Sequence, residues 1–387
     1  MAEYKMVRLG DVCEIQSGGT PSRSKTEYWK DGTIPWVKIG DFSGKYLDKT
    51  TEHITQQGLD NSSAKLFSKG TILYSIFATL DEATILNIDA TTNQAIAGIK
   101  IKDKSSVDID YFYSFLKSLK DEVNRIGRGV AQNNINLSIL KSFFIPLPPL
   151  ETQKQIAAQL DKCTAVIAKH KQMLEKYDTL IKSRFIEMFG DKPVESGKWK
   201  VEKLEDVCDL ITDGTHKTPN YQQKGIRFIS AKNIINGKID LTDTKFITEE
   251  EYKQIQKRCR VEKNDVLLTK SGSLGSSAII DFDIPIGLFE SLAVIKYKRN
   301  LLNGIFVKEL LSAESSQKQF NNGVKGIAIK HLHLNVIAAL KIPTPPISLQ
   351  NDFAAFVQQI DKSKFAVQKS LEKTETLYKS LMQQYFA

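Results

Sequence analysis

Cysteine is scarce in this chain. Cys13, Cys163, Cys208 and Cys259 are the whole supply, none forms a CxxC pair, and five scattered histidines add no zinc-site spacing. So few thiols suit a reducing compartment, and a cytoplasmic location is expected. The opening residues MAEYKMVRLGDVCEI contain no apolar stretch of the kind a secretory leader needs. No run reaches the roughly 18 apolar residues of a membrane-spanning helix. The phosphate loop GxxxxGK[ST] and the zinc-protease pattern HExxH are both missing. Acidic residues are scattered without a metal-binding cluster. The Asn/Asp-Pro-Pro-Tyr/Phe motif of amino-methyltransferases is also lacking. The proline pairs stand instead in Leu147-Pro148-Pro149-Leu150 and Thr344-Pro345-Pro346-Ile347. Ser271-Gly272-Ser273-Leu274-Gly275 reads as a β-turn and only weakly as an anion cradle. These absences point away from catalysis, and no catalytic residue, metal or cofactor is expected.

What is present is a chain of 387 residues with 41% hydrophobic and 26% charged residues, a balance suited to folded domains. The length exceeds what one core comfortably fills and implies at least two domains. Lys and Arg total 54 against 45 Asp and Glu, a net charge of +9. An excess of that sign draws polyanions, although a basic protein without a special partner has the same composition.

The strongest feature is an internal repeat displaced by about 195 residues. Leu9-Gly10-Asp11-Val12-Cys13 answers to Leu204-Glu205-Asp206-Val207-Cys208. A turn follows each, Gly18-Gly19-Thr20-Pro21 in one and Asp213-Gly214-Thr215 with Pro219 in the other. Ile34-Pro35-Trp36-Val37 matches Ile226-Arg227-Phe228-Ile229, and Ile54-Thr55 matches Ile247-Thr248. Lys69-Gly70-Thr71-Ile72-Leu73 matches Lys263-Asn264-Asp265-Val266-Leu267, and Ile145-Pro146-Leu147-Pro148-Pro149 matches Ile342-Pro343-Thr344-Pro345-Pro346. Two copies of one module follow, and a solenoid is excluded because its repeats are several times shorter. Within each copy, runs such as 34–39, 71–77 and 226–230 are rich in β-branched and aromatic residues and are separated by Gly-containing turns, which predicts strands. Residues 111–123 and 306–320 read as amphipathic helices, so the class is α+β. Trp36 and Phe228 occupy matching strand positions and read as core.

Each Pro-Pro pair ends the mixed region, since proline cannot continue a helix interior, and a long helix follows. In the first copy Ile156, Leu160, Cys163, Ile167, Leu174, Tyr177 and Ile181 recur in steps of four and three, with His170 in the series. The second copy repeats this with Phe353, Val357, Ile360, Val367, Leu371, Tyr378, Leu381 and Tyr385, interrupted by Lys364 and Thr374. Such spacing is a coiled-coil seam. Residues 156–181 alone rise about 39 Å at 1.5 Å per residue, too long to stay single in water. Intramolecular antiparallel pairing in a pseudo-twofold arrangement is favoured over pairing between chains or packing on the globular parts. The expected division is residues 1–149 and 191–346 as two recognition domains, with 150–190 and 347–387 as spacer helices. Two heads on a stiff spacer fit a split linear target, because duplex DNA repeats every 34–36 Å or so.

Contacts to DNA are expected in turns. In the first copy the candidates are Arg23, Lys25, Lys38, Lys45, Arg125, Arg128, Gln132 and Asn133; in the second they are Thr215, His216, Lys217, Arg227, Lys232, Lys270, Ser271, Lys325, Lys330 and His331. Arg, Lys, Asn and Gln serve base edges and phosphates alike, and the sequence does not sort the two roles.

Taken in order, several stretches resemble the specificity subunits of type I restriction–modification systems over nearly the full length. They are Val7-Arg8-Leu9-Gly10-Asp11-Val12, Ser17-Gly18-Gly19-Thr20-Pro21, Ile34-Pro35-Trp36-Val37-Lys38-Ile39-Gly40-Asp41, Asn93-Gln94-Ala95-Ile96, Ala131-Gln132-Asn133-Asn134-Ile135 and Ile145-Pro146-Leu147-Pro148-Pro149-Leu150. The second copy departs at Gly326-Ile327-Ala328-Ile329-Lys330-His331, where Ala-Gln-x-x-Ile is the pattern, while Lys270-Ser271-Gly272-Ser273-Leu274-Gly275 is nearer the family turn than Ile76-Phe77-Ala78-Thr79-Leu80-Asp81. The resemblance implies that each domain reads one half of an asymmetric, interrupted duplex target. It implies helices that set the gap and dock two methyltransferase subunits, which bring S-adenosylmethionine and methylate adenine. A restriction/translocase subunit using ATP can join, and the chain itself catalyses nothing. The alternatives are the specificity component of a bifunctional system that cuts on both sides of its target, and a coiled-coil protein scaffold with no DNA role.

Overall fold

The two sequence repeats build the same strand frame. The computed structural model describes residues 4–77, 82–127, 135–192, 194–323 and 331–386. Two units separate, one made of Met1–Lys171 with Lys369–Ala387 and the other of Gln172–Gln368.

In the first unit, strand Lys5–Arg8 pairs antiparallel with Phe144–Leu147, so the start of the globular part is fastened to its end. A five-stranded sheet runs, in spatial order, Cys13–Ser17, Ile96–Ile101, Ile72–Ser75, Ala83–Leu86 and Tyr46–Leu47. A three-stranded sheet centres on Ile34–Val37, flanked by Glu52–Ile54 and Thr91–Thr92. In the second unit, Val201–Lys203 pairs with Lys341–Pro343. Its four-stranded sheet runs Cys208–Asp213, Leu292–Tyr297, Val266–Thr269 and Ser277–Ile279, and its three-stranded sheet centres on Ile226–Ile229. Trp36 and Phe228 are both buried on those central strands. Thr55 and Thr248 end their matching Ile-Thr pairs as N-caps, each accepting a backbone N–H three residues on.

The amphipathic stretches form helices, but each is broken in two. Ile109–Ser118 is followed by Lys120–Gly127, and Gly304–Ser312 by Glu314–Gly323. Leu119 tightens the first break with a bond to the Leu116 carbonyl. Ala313 takes an extended backbone at the second, so the following helix restarts with Glu314 in its first turn.

The long helices are Leu150–Phe189 and Ile347–Phe386, 40 residues each. In the first unit Ile156, Ala157, Leu160 and Cys163 share a core with Leu381, while Tyr378, Met382, Tyr385 and Phe386 pack against it. Tyr385 OH donates to Gln159 Oε1 at 2.7 Å, and Lys171 meets Glu375 at 3.1 Å. Advancing along one helix means retreating along the other, so the strands of this pair are antiparallel. In the second unit Ile181, Phe185 and Phe189 share a core with Phe353, Val357 and Ile360. There Lys364 ion-pairs with Asp178, which explains why a lysine stands in the seam. Ile167, Leu174, Tyr177, Val367 and Tyr378 are half-buried, Leu371 is buried, and no seam position is exposed.

One polar side chain recurs at both helix starts. Gln153 and Gln350 are 0% exposed. Gln153 Nε2 donates to the Ser106 and Pro148 carbonyls and its Oε1 accepts from Asp108 N–H. Gln350 Nε2 donates to the Leu301 and Pro345 carbonyls and its Oε1 accepts from Asn303 N–H. Each glutamine therefore ties a long helix to the cap of a shorter one, Asp108 and Asn303 being those N-caps.

Candidate nucleic-acid interface

The turn after the first sheet strand is held identically in both units. Gly18 N–H donates to Ile96 O and Gly19 N–H to Thr92 O; Gly214 N–H donates to Leu292 O and Thr215 N–H to Leu288 O. Both leading glycines abut backbone: an added Cβ would fall 2.5 Å from Thr92 O at Gly18 and 2.1 Å from Leu288 O at Gly214. The chain crosses again beside this turn. Ile76 donates its N–H to Ala95 O while its carbonyl accepts Ile135 N–H, and Lys270 donates its N–H to Ser291 O while its carbonyl accepts Leu332 N–H.

In the first unit the Arg23 guanidinium sits over Trp29, 3.6 Å from the ring centroid, with Trp36 at 4.8 Å. Its guanidinium meets Glu52 at 2.6 Å, and Lys38 meets the other Glu52 oxygen at 2.7 Å. Hydrogen bonds from Lys38 and Arg23 hold the Glu52 carboxyl below the usual range. Arg23 and Lys38 thus share one anchored patch, and Lys25 follows on the same turn, donating to Tyr28 OH at 2.9 Å. Lys45 belongs elsewhere. It bridges Asp110 at 2.9 Å and Asp161 at 2.6 Å, fastening the sheet edge to the first long helix. Arg125 is exposed, 4.0 Å from Glu122. Arg128, Gln132 and Asn133 lie outside the described residues, as do Lys325 and Lys330 of the second copy.

In the second unit the expected residues divide similarly. Thr215, His216 and Lys217 lie on the turn itself, Lys270 and Ser271 on the crossing beside it, and the Leu332 N–H bond to Lys270 O brings the neighbouring His331 to that crossing, whereas Lys232 is paired with Asp243 at 3.2 Å. Arg227 is half-buried, its guanidinium 5.8 Å from the Phe246 ring and its Nε without a hydrogen-bond partner. Thr215 Oγ1 accepts Lys217 N–H at 3.2 Å and shapes the loop. Lys270, expected at the surface, is 2% exposed, and its ammonium is committed to the equally buried Asp213. Burial opposes the Asp213 charge, but hydrogen bonds from Lys270 and Arg258 outweigh it and hold the carboxyl below its usual range. His331 faces His333 with ring centroids 5.3 Å apart. Burial, then Lys270 and His333, keep its imidazole below the ordinary histidine range.

Arg258, Asp213 and Glu290 were not anticipated from sequence. The match of the Asp213-Gly214-Thr215 turn to Gly18-Gly19-Thr20-Pro21 was the available signal for Asp213, whereas Arg258 reaches it from 45 positions away. Cys13, Cys208 and Cys259 are buried, and burial pushes each thiol up to about 12, which makes them inert core residues. Among the described residues no group of three His, Cys, Asp or Glu side chains could hold a metal ion, and no helix is long and apolar enough to cross a membrane.

Comparison with known proteins agrees with this duplicated frame. Residues 1–176 and 196–375 each match the family described as the type I restriction modification DNA specificity domain. A relative in Methanocaldococcus jannaschii, the type I restriction enzyme MjaIX specificity subunit, is 26% identical over 92% of this chain and 87% of its own length. The Escherichia coli EcoBI specificity subunit is 27% identical over 73% of this chain and 64% of its own length. Among solved structures, the type I restriction–modification S subunit of M. genitalium superposes with a TM-score of 0.60 at 16% identity, covering 99% of this chain and 96% of that one. A chain from a study of complex assembly in the type I restriction–modification system gives the same score over 100% of this chain and 98% of its own. The protein carries that domain twice and belongs to the family of type I restriction–modification specificity subunits, which recognise DNA sequence and are not themselves enzymes.

Proposed function

We propose that each unit reads one half of an asymmetric, interrupted site in duplex DNA, with residues 1–149 and 191–346 as the reading parts. The long helices set the unread gap and dock two methyltransferase subunits, to which a restriction/translocase subunit can be added. The observation that carries this is the identical backbone frame holding different side chains at the same turn: Ser17, Thr20, Ile76 and Gln94 in one unit, Asp213, His216, Lys270 and Glu290 in the other. One scaffold with two polar surfaces suits two different half-sites. Arg23, Lys25, Lys38 and Arg125 supply cations in the first; Lys217, Ser271 and His331 supply donors in the second, where both ring nitrogens of His216 are engaged by Asp213 and Glu290. Lys45 and Lys270 serve instead to position their neighbours.

The helices also carry apolar residues that their own seam leaves uncovered. Val166, Met173 and Leu180 recur every seven residues along the first long helix and are 40%, 41% and 44% exposed. Leu377 is exposed on the second. Heptad-spaced apolar side chains facing water favour helical partners, which supports assembly in the cytoplasm with modification subunits over a solitary role.

The test is to purify the full chain with its cognate methyltransferase subunit and map methylated adenines in host DNA by single-molecule sequencing. Two fixed blocks of bases separated by a constant unread gap are expected. Methylation without a split motif, from a complex shown to be assembled and competent, would rule this function out.

A further inference from the structure

The two frames can be superimposed through their hydrogen bonds, and the superposition exposes a difference that sequence matching leaves hidden. Ser17 lies opposite Ala97 and Asp213 opposite Ala293; Ser75 lies opposite Ile96 and Thr269 opposite Leu292. Asp213 therefore takes the place of Ser17, Lys270 that of Ile76, His216 that of Thr20 and Glu290 that of Gln94. In the first unit Thr20 Oγ1 donates to Gln94 Oε1 at 2.6 Å, a neutral pair. In the second, His216 Nδ1 lies 2.6 Å from Glu290 Oε2. Beneath it the second unit buries an ion pair, Asp213–Lys270, where the first has a serine and an isoleucine.

A buried ion pair is a poor way to stabilise a fold, because desolvation cancels most of the attraction. The sister frame shows that this position does not require one. What the pair does is aim other groups. The capped helix is Gln56–Asp60 in the first unit but Glu249–Arg258 in the second, five residues against ten. The added length brings Arg258, in the last turn, to Asp213, with Nη2 at 2.5 Å from Oδ1. His216 Nε2 sits 3.2 Å from the same carboxylate and 3.3 Å from Arg258 Nη2. The Asp213 side chain is 2% exposed while those of Arg258 and His216 are 54% and 53% exposed. One buried carboxylate thus fixes a half-exposed guanidinium through Nη2, while both ring nitrogens of the neighbouring His216 are engaged by Asp213 and Glu290.

We infer that Arg258 determines base choice in the half-site read by the second unit, and that Asp213, ion-paired with Lys270, is its positioning residue. The inference rests on the proposed DNA function and adds to it a residue and a mechanism. With Nη2 given to Asp213, a guanidinium of fixed pose still presents its Nε and Nη1 N–H groups to base-edge acceptors such as guanine O6 or N7, a combination of anchor and reader that a lysine cannot reproduce.

The experiment uses the full chain assembled with its methyltransferase and compares methylated motifs for wild type, Arg258→Ala, Arg258→Lys and the double variant Asp213→Ser/Lys270→Ile. The double variant installs the first unit's own residues, so folding is expected to survive, with an unchanged melting midpoint. Should it fail to fold, the two Arg258 variants, altered at an exposed side chain, carry the test. All three are expected to lose about tenfold or more of the base preference at one position of one block. The other block stays as in wild type and serves as the internal control, and Arg258→Lys is not expected to rescue. A wild-type motif unaltered by the Arg258 variants would overturn the inference while leaving the two-block function standing. Uniform weakening of methylation with every base preference kept would also overturn it, since that is the behaviour of a phosphate contact. Absence of any split motif in wild type would instead bring down the proposed function, and this assignment with it.

Discussion

Gln153 and Gln350 show how much one side chain contributes to fastening a helix. Each is fully buried and saturates its amide with three backbone partners, joining the start of a long helix to the cap of a short one. Leucine at either position keeps most of the volume and strands one N–H and two carbonyls away from water. The expected loss is about 2–4 kcal/mol per site, read as a lower urea midpoint for Gln153→Leu and for Gln350→Leu. An unchanged midpoint in both would mean that water replaces the amide at no cost. Nothing in the sequence distinguished these glutamines from the many that face solvent on the same helices. Their identical place after two Pro-Pro pairs was visible, but a hydrogen-bond acceptor four dozen residues away was not.

Elements were legible in proportion to their periodicity. The two long helices could be read because a 40-residue helix repeats its apolar spacing many times. The breaks at Leu119 and Ala313 could not, since a single residue's backbone state decides each and the apolar spacing runs on past it. The same contrast governs the interface. Its backbone frame was foreshadowed by the ordered repeat, whereas the Asp213–Arg258 pairing depends on where a helix ends. Exposed periodicity has a consequence as well. Leu180 faces outward from the seam, so Leu180→Asp is expected to leave the melting midpoint within a degree or two while reducing co-purification of the methyltransferase at least tenfold. Full retention of the partner would show that this stripe is not a docking surface.

At the scale of the molecule, charge and duplication act together. In the proposed function the net charge of +9 supplies long-range attraction that carries no sequence information, and the two turn surfaces supply the discrimination. Affinity of the assembled complex for its duplex is therefore expected to fall by about tenfold or more between 50 and 200 mM salt, measured by fluorescence anisotropy, while the ranking of target over scrambled duplex persists. A salt-independent affinity would contradict the role given to the basic surface. Duplication also reaches into how each unit is closed. The second unit is one continuous stretch, Gln172–Gln368, but the first takes in Lys369–Ala387 as well. Tyr111 and Phe115 hold Phe386 against them, with ring centroids 5.2 and 5.7 Å away. On the ribosome this inverts the usual order, in which the earlier-made domain finishes first. The later-made unit can complete its core while the earlier one still waits for the helix that seals it. A nascent chain halted anywhere in between bears an open apolar flank on its first half, a state in which chaperones or a like chain have something to grip.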